Sequence, residues 1–501
     1  MLFNSVNFQV FLPIVLLVYF VIPMKHVKIK NIWLLLVSYF FYMSWNAKYI
    51  VLIFASTLVT YLCGIALEKV KRSDFDEDKK VKYKKLVMVI SLIINLGILG
   101  YFKYTNFFLD VIQNIMNSIH VSVTVPTFDI LLPVGISFYT FQAIGYTIDV
   151  YRDEIYAEKD FIQYALFVSF FPQLVAGPIE RSKNLIKQLA VPHKFEFNNL
   201  KKGVLLMIWG YFLKIVIADR IALFNDTVFQ NYETYSGWYI VIAVLLANIQ
   251  VYCDFYGYSI IATGTARILG ITLMENFDTP FFARTIGELW KRWHVSLTSW
   301  FTDYIYFPLG GSRKGKTRKW INVMIVFFLS GLWHGASINY VVWGVINGLY
   351  QVIGGLLMPF RKKVLAFFKV NVASAGYIFC QIAVTFWLFA FSAITQRVFT
   401  WEAIKTVTRE FLIPKNPWIL FDGSLYEAGL NQKNFTVLIV SMFILLVADV
   451  FKYKKIIISD VIMRQNLPFR WFCYIAGIAL VLLFGLWGPA FNQANFYYFQ
   501  F

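Results

Sequence analysis

The 501-residue chain is 59% hydrophobic and 19% aromatic but only 15% charged, against about 25% charged residues in soluble domains. That balance excludes a soluble globular enzyme. A formal charge of +18 does not point to nucleic acid either, because the basic residues gather in short loops between apolar runs, the positive-inside pattern of membrane proteins.

Apolar runs recur along the whole chain, each long enough to cross a ~30 Å hydrocarbon layer as a helix. The first, about 7–24, lacks a preceding Lys or Arg and a small-x-small cleavage site, so it reads as a retained span rather than a signal peptide. Lys25, Lys28 and Lys30 follow it. Spans at about 31–46 and 48–67 lead to a loop with eight basic residues, Lys69 to Lys85. Two spans separate these two basic loops. Both are therefore expected in the cytoplasm, with the N-terminus outside. A span at about 86–101 precedes a segment at 103–119 that puts Phe107, Phe108, Val111, Ile112 and Ile115 on one face, the pattern of a helix lying in the interface. The next span is expected at about 129–150.

Residues 161–180 are apolar but contain Pro172 and end Ala-Gly-Pro-Ile-Glu-Arg. Broken backbone at membrane depth is tolerated only when buried in protein or facing a water-filled cavity, so a re-entrant segment is expected here. Further spans are expected at about 203–222 and 237–253. From Asp254 to Lys319 no stretch looks able to cross, and helices at the inner face are expected. The remaining spans are placed at about 320–335, 337–357, 372–395, 436–451 and 471–488, with an outer loop at 397–435 and the C-terminus outside. No internal repeat is evident. The four cysteines show no metal or disulfide spacing and read as inert buried thiols.

Two of the five histidines stand forty positions apart in the stretch 290–335. His334 lies within an apolar run, where a titratable group needs a partner or water and points to function. Its ordinary pKa, about 6.5, suits a general base, and Ser330, Gly331, Gly335, Ala336 and Ser337 leave room around it. The bland alternative is a histidine bonded to a neighbouring helix. His294 sits among Trp290, Lys291, Arg292, Trp293 and Ser296, where an interfacial aromatic setting is as good a reading as catalysis. The run Gly310-Gly311-Ser312-Arg313-Lys314-Gly315-Lys316 has the glycines and cations of a phosphate cradle without P-loop spacing. A cytoplasmic turn is the plainer account. Arg181 and Lys183 add positive charge on the same inner side. Asp254 and Glu288 could orient a histidine or pair with Arg267, Arg284 or Arg292. The end of the chain, Phe496 to Phe501, is too aromatic for an exposed tail. It is expected to dock in protein or at the interface, and a tyrosine there could carry an acyl group if a base took its proton.

Several blocks together are specific. They are Pro133 to Gln142, Gln173 to Arg181, Asp254-Phe255 with Gly257-Tyr258-Ser259, Met274 to Pro280, Trp290 to Ser296, Tyr304 to Lys314 and Gly331 to Ala336. With them the chain resembles the membrane-bound O-acyltransferases, in the branch of the alginate and peptidoglycan O-acetyltransferase membrane subunits. That resemblance implies an all-α polytopic fold of about 11–12 transmembrane helices plus re-entrant and interfacial helices. It also implies a thin central region, an outer funnel and a cytoplasmic tunnel. The whole chain would be one integral membrane domain, with N-terminal spans at 1–127, a catalytic core at 128–357 and C-terminal spans at 358–501.

The resemblance also assigns roles. His334 matches the catalytic histidine and His294 the second histidine of the site, while Tyr498 matches a proposed acyl-shuttling tyrosine. Acetyl-CoA would be the donor, held near Arg181, Lys183, Arg313, Lys314, Trp290 and Arg292, with no metal. The protein would sit in a bacterial cytoplasmic membrane beside an extracellular SGNH-type transferase or esterase that modifies a polysaccharide. D-alanyl transfer to teichoic acid is the alternative within the family, and a polymer-precursor transporter the alternative outside it. One departure stands out: the family usually reads D-F-S-G-Y-S-D-M, and here Tyr256 replaces the first serine and Ile260-Ile261 the acid and methionine.

Overall fold

The computed structural model describes residues 1–121, 125–126, 128, 132–175 and 177–487. The described residues are helical or loop, with no strand among them. Seven helices are long and apolar enough to cross a membrane, which makes this a multi-pass membrane protein. The chain divides into two compact units, residues 1–204 with 262–274, and residues 205–261 with 275–501.

The first unit contains α1 (Val6–Val21), α2 (Val27–Met43), α3 (Ile50–Arg72), α4 (Glu77–Leu99) and α5 (Thr105–Ser118). It continues with α6 (Ile136–Tyr151), α7 (Phe161–Ser169), α8 (Phe171–Leu174) and α9 (Ser182–Leu189). Asp76 caps α4 by accepting from the Lys79 N–H at 2.8 Å, as expected of an aspartate before a helix. The apolar 103–119 segment is helical with no buried residue, and it continues from α4 through a π-helical turn at Gly100–Tyr104.

Residues 161–174 form a broken helix largely buried in this unit. Phe170 leaves the helical region at ψ 110° and Pro172 opens α8. Chain breaks at such depth need substitute partners for the backbone. Gln142 and Gln173 both donate to the Phe167 carbonyl, at 2.6 and 2.8 Å, and the Ser38 hydroxyl accepts from the Phe171 N–H. Elsewhere in the unit the same rule holds: Ser56 donates to Asn95 and Asn31 to the Leu189 carbonyl.

The second unit begins within α10 (Phe197–Tyr211), which runs through a π-helical segment at Phe212–Ala218 into α11 (Asp219–Gln230). Next comes α12 (Trp238–Ile268), 31 residues without interruption. The sequence suggested that this span stops near Cys253. It does not, because the charge at Asp254 is answered in place: Lys214 lies 2.6 Å from Asp254 and 2.8 Å from Asp219. Gly210 and Gly257 allow the two backbones to approach there, and a Cβ on either would meet the other's carbonyl oxygen below 3 Å.

Beyond residue 268 the chain makes only short helices, α13 (Ile286–Arg292) and α14 (Val295–Phe301), a π-helical turn at Thr302–Tyr306 and a glycine-rich turn. Then α15 (Lys316–His334) and α16 (Ile338–Phe367) form a tight antiparallel hairpin. α15 is basic at its start, with Lys316, Arg318 and Lys319. α17 (Ala375–Arg397), α18 (Trp401–Leu412), α19 (Gln432–Tyr453), α20 (Ile458–Met463) and α21 (Leu467–Phe484) complete the unit. α18 is an amphipathic helix inside what the sequence suggested was a loop at 397–435. It buries Ala403, Val407, Glu410 and Phe411, with Phe411 stacked on Trp387 at 4.5 Å.

Candidate active site

His334 is the last residue of α15, and glycines set its position. A Cβ at Gly331 would stand 2.3 Å from the Tyr340 carbonyl oxygen, and one at Gly344 2.3 Å from that of Phe327. The two helices therefore pack backbone to backbone, and His334, at the tip of the hairpin, is buried. Its ring is boxed by indoles. Trp333 lies 5.0 Å away and Trp343, across the hairpin, also 5.0 Å, both edge-on. Trp290 packs against Trp343 at 5.5 Å and against Phe327 and Phe389. The Trp290 Nε1–H and the Asn347 amide oxygen, one turn beyond Trp343, are buried without a hydrogen-bond partner among the described residues. Such groups carry a desolvation penalty that a bound polar ligand would relieve.

His294 sits between α13 and α14 at φ 45°, ψ 54°, a left-handed conformation that is uncommon outside glycine. The preceding loop holds it there. The Asp278 N–H donates to the Arg292 carbonyl and the Val295 N–H to the Asn276 carbonyl, each at 2.9 Å, so residues 276–278 clamp the bend from both sides. The ring is fully buried, 4.7 Å from Phe255 and 5.7 Å from Trp333. Burial, reinforced by the neighbouring His334, holds its imidazole well below the usual histidine range, so it is neutral at pH 7. Both imidazoles therefore face one indole in a dry aromatic setting, away from bulk water.

The clamp extends to α19. Lys452 donates to the Tyr256 hydroxyl at 2.9 Å and the Phe277 carbonyl at 2.7 Å, and pairs with Glu275 at 3.0 Å. This accounts for the departure at Tyr256: the phenol reaches a lysine that a serine would not. Arg292 pairs with Glu288 at 3.0 Å and donates to the Asp278 carbonyl, so it braces the loop. Glu288 thus resolves to an arginine partner and Asp254 to Lys214.

The glycine-rich turn is left-handed at Gly310, Gly311 and Gly315. The buried Asn322 amide donates to the carbonyls of Leu309 and Gly311, at 3.3 and 3.0 Å, and leaves Arg313 and Lys314 exposed. Asn322 precedes His334 by twelve residues, about 18 Å along a helix axis. Arg181 and Lys183 belong to the first unit, at the start of α9, where Glu180 accepts from the Met274 and Asn184 N–H groups. Tyr498 lies outside the described residues, as does the rest of the aromatic tail.

A model of the membrane-bound O-acyltransferase family matches residues 153–400, a range that holds both histidines. A peptidoglycan O-acetyltransferase of Helicobacter pylori is 33% identical over 378 residues, which cover 70% of this chain and 69% of that one. The chain belongs to the membrane-bound O-acyltransferase family. Within that family it is also 37% identical over 356 residues to a probable alginate O-acetylase AlgI of Pseudomonas syringae pv. tomato, covering 70% of this chain and 66% of the relative. The rest of that relative lies outside the match. A teichoic acid D-alanyltransferase of Bacillus subtilis is more distant, 28% identical over 261 residues, 48% of this chain and 62% of that one.

Apart from Trp290, the serine, asparagine and tryptophan partners were not singled out as site residues by sequence. Asn276, Ser259 and Ser296 lie inside the blocks that carry the family resemblance, yet nothing in their spacing shows that they meet. Lys214 gave a readable signal, an ionisable residue midway along an apolar run.

Proposed function

We propose that this acyltransferase moves an acetyl group from cytoplasmic acetyl-CoA across the membrane for O-acetylation of a cell-surface polysaccharide. The observation that carries the reading is the burial of His334 and His294 against one indole, within the part of the chain that matches the family. His334 takes the proton from an acceptor hydroxyl, and the oxygen attacks the thioester carbonyl. The C–O bond forms, the C–S bond breaks, and the imidazolium returns its proton to the departing thiolate. The Trp290 N–H is a donor suited to the carbonyl oxygen as it gains charge. Arg313 and Lys314 hold the donor's phosphates, in the turn that Asn322 anchors about 18 Å along α15 from His334.

Tyr498 is the proposed relay acceptor, and a secreted SGNH-type transferase the proposed partner that carries the group to polymer. The membrane is the bacterial cytoplasmic one, with both termini outside, as the basic loops argue. The D-alanyltransferase relative supports a second reading, D-alanyl transfer by the same chemistry.

Purified protein in liposomes, offered labelled acetyl-CoA or a D-alanyl carrier thioester, separates the two readings. Turnover of acetyl-CoA that disappears in His334→Ala is expected. Undiminished turnover in that variant overturns the role of His334, and turnover of the D-alanyl thioester alone overturns the acetyl reading.

A further inference from the structure

The side chain of His294 is the start of a buried chain of polar groups. Ser296 Oγ stands 3.5 Å from His294 Nδ1. The same hydroxyl lies 2.6 Å from Asn276 Oδ1, and Asn276 Nδ2 lies 3.1 Å from Ser259 Oγ on α12. All four residues are 2% exposed or less. Bulk water therefore does not compete for these groups, and the proton positions follow from counting donors.

A hydroxyl has one proton to give. A separation of 2.6 Å is typical of O–H···O and short for N–H···O, so Ser296 gives its proton to the Asn276 carbonyl oxygen. That orientation leaves the Asn276 NH₂ to donate to Ser259. Ser296 is then left to accept from the imidazole, which favours hydrogen on the ring nitrogen 3.5 Å from it. In a neutral ring the other nitrogen holds the lone pair.

We propose that Ser296, Asn276 and Ser259 are positioning residues that hold His294 as the Nδ1–H tautomer, and thereby present its Nε2 as a proton acceptor. On the reading that this is an acyltransferase, His294 is then a second acceptor beside His334 rather than a donor to the thioester. It can receive the hydrogen bond of the incoming hydroxyl and align it for His334. The left-handed bend at His294 and the clamp by residues 276–278 serve the same end, since Asn276 grips the bend by its main chain and sets the tautomer by its side chain.

The test reads the ring directly and does not depend on turnover. Full-length protein with ¹⁵N-labelled histidine is studied in detergent micelles, and the His294 signal is identified by its loss in His294→Asn. A neutral ring protonated at Nδ1 is expected in the wild type. Ser296→Ala is expected to lose that preference, giving a mixed or Nε2-protonated ring, while Ser296→Thr, which keeps the hydroxyl, restores it. Thermal melts of the variants separate tautomer loss from misfolding. A wild-type ring protonated at Nε2, or a tautomer unchanged in a folded Ser296→Ala protein, overturns the proposal. In the acetyl-transfer assay Ser296→Ala should lower kcat about tenfold or more with KM held. If the wild type turns over no thioester, the functional reading fails while the tautomer result stands or falls by itself.

Discussion

His294 and His334 are bracketed by a single indole. The Trp333 ring centre lies 5.7 Å from the first imidazole and 5.0 Å from the second, and both meet it edge-on. One histidine ends a long helix and the other sits in a left-handed bend forty residues earlier, so the pairing is a product of the fold.

Removing the imidazole at the hairpin tip should abolish chemistry while sparing the fold. His334→Ala is expected to lower kcat for acyl transfer by about 10²–10⁴-fold. Thermal unfolding in detergent should change little, because Trp343 stays packed on Trp290 and Trp333 on His294. The pairing of a kinetic and a melting measurement checks both halves.

Charge reversal in the glycine-rich turn should act on binding alone. Arg313 and Lys314 are exposed, in the turn that Asn322 holds by its side chain twelve residues before His334. Arg313→Glu with Lys314→Glu is expected to raise KM for acetyl-CoA about tenfold with kcat nearly unchanged. The effect should shrink as salt is raised, since exposed charges are screened. Equal KM values at low salt would place the donor elsewhere.

Backbone contact in the hairpin predicts a stability loss at glycine. Gly344→Ala puts a methyl where the Phe327 carbonyl oxygen already stands. It is expected to destabilise by about 1–3 kcal/mol or more and to displace His334, so that both the melting temperature and activity fall. Gly354→Ala, on the same helix with open space around it, is the control and should be neutral or slightly stabilising.

The buried ion cluster behind α12 should be sensitive to the loss of one partner. Lys214 is 2% exposed between Asp219 and Asp254. Lys214→Met leaves the buried Asp254 and the half-buried Asp219 without their cation and is expected to cost about 3–5 kcal/mol. Adding Asp254→Leu and Asp219→Asn should recover much of this, which a thermal denaturation series would show.

His294 predicts a direction in pH. Its folded pKa is depressed by burial and by His334, whereas the unfolded chain takes up a proton near 6.5. The unfolded state then binds more protons, so stability is full above about pH 6.5 and falls as the pH drops below it. His294→Asn should flatten that slope in melts between neutral and mildly acidic pH.

Much of this was readable in the residues. His334 announced itself as a titratable group in an apolar run, and Pro172 marked the broken helix that Gln142 and Gln173 stabilise. The end of α12 was misjudged because Asp254 looks like a helix-ending charge until Lys214, forty residues earlier, is seen beside it. α18 was missed because its charges mask an apolar face of three residues, Ala403, Val407 and Phe411. The Ser259–Asn276–Ser296 chain was invisible because short polar side chains carry no pattern in sequence, and only the fold brings them into contact.

The bend at position 294 restricts which neighbours in sequence space are open to this protein. A side chain at φ 45° is tolerated mainly for glycine, asparagine, aspartate and histidine, and only the last has a basic ring nitrogen. Drift through alanine or valine would meet backbone strain before any chemistry was judged. The geometry of one peptide unit therefore narrows the set of side chains that can follow the imidazole.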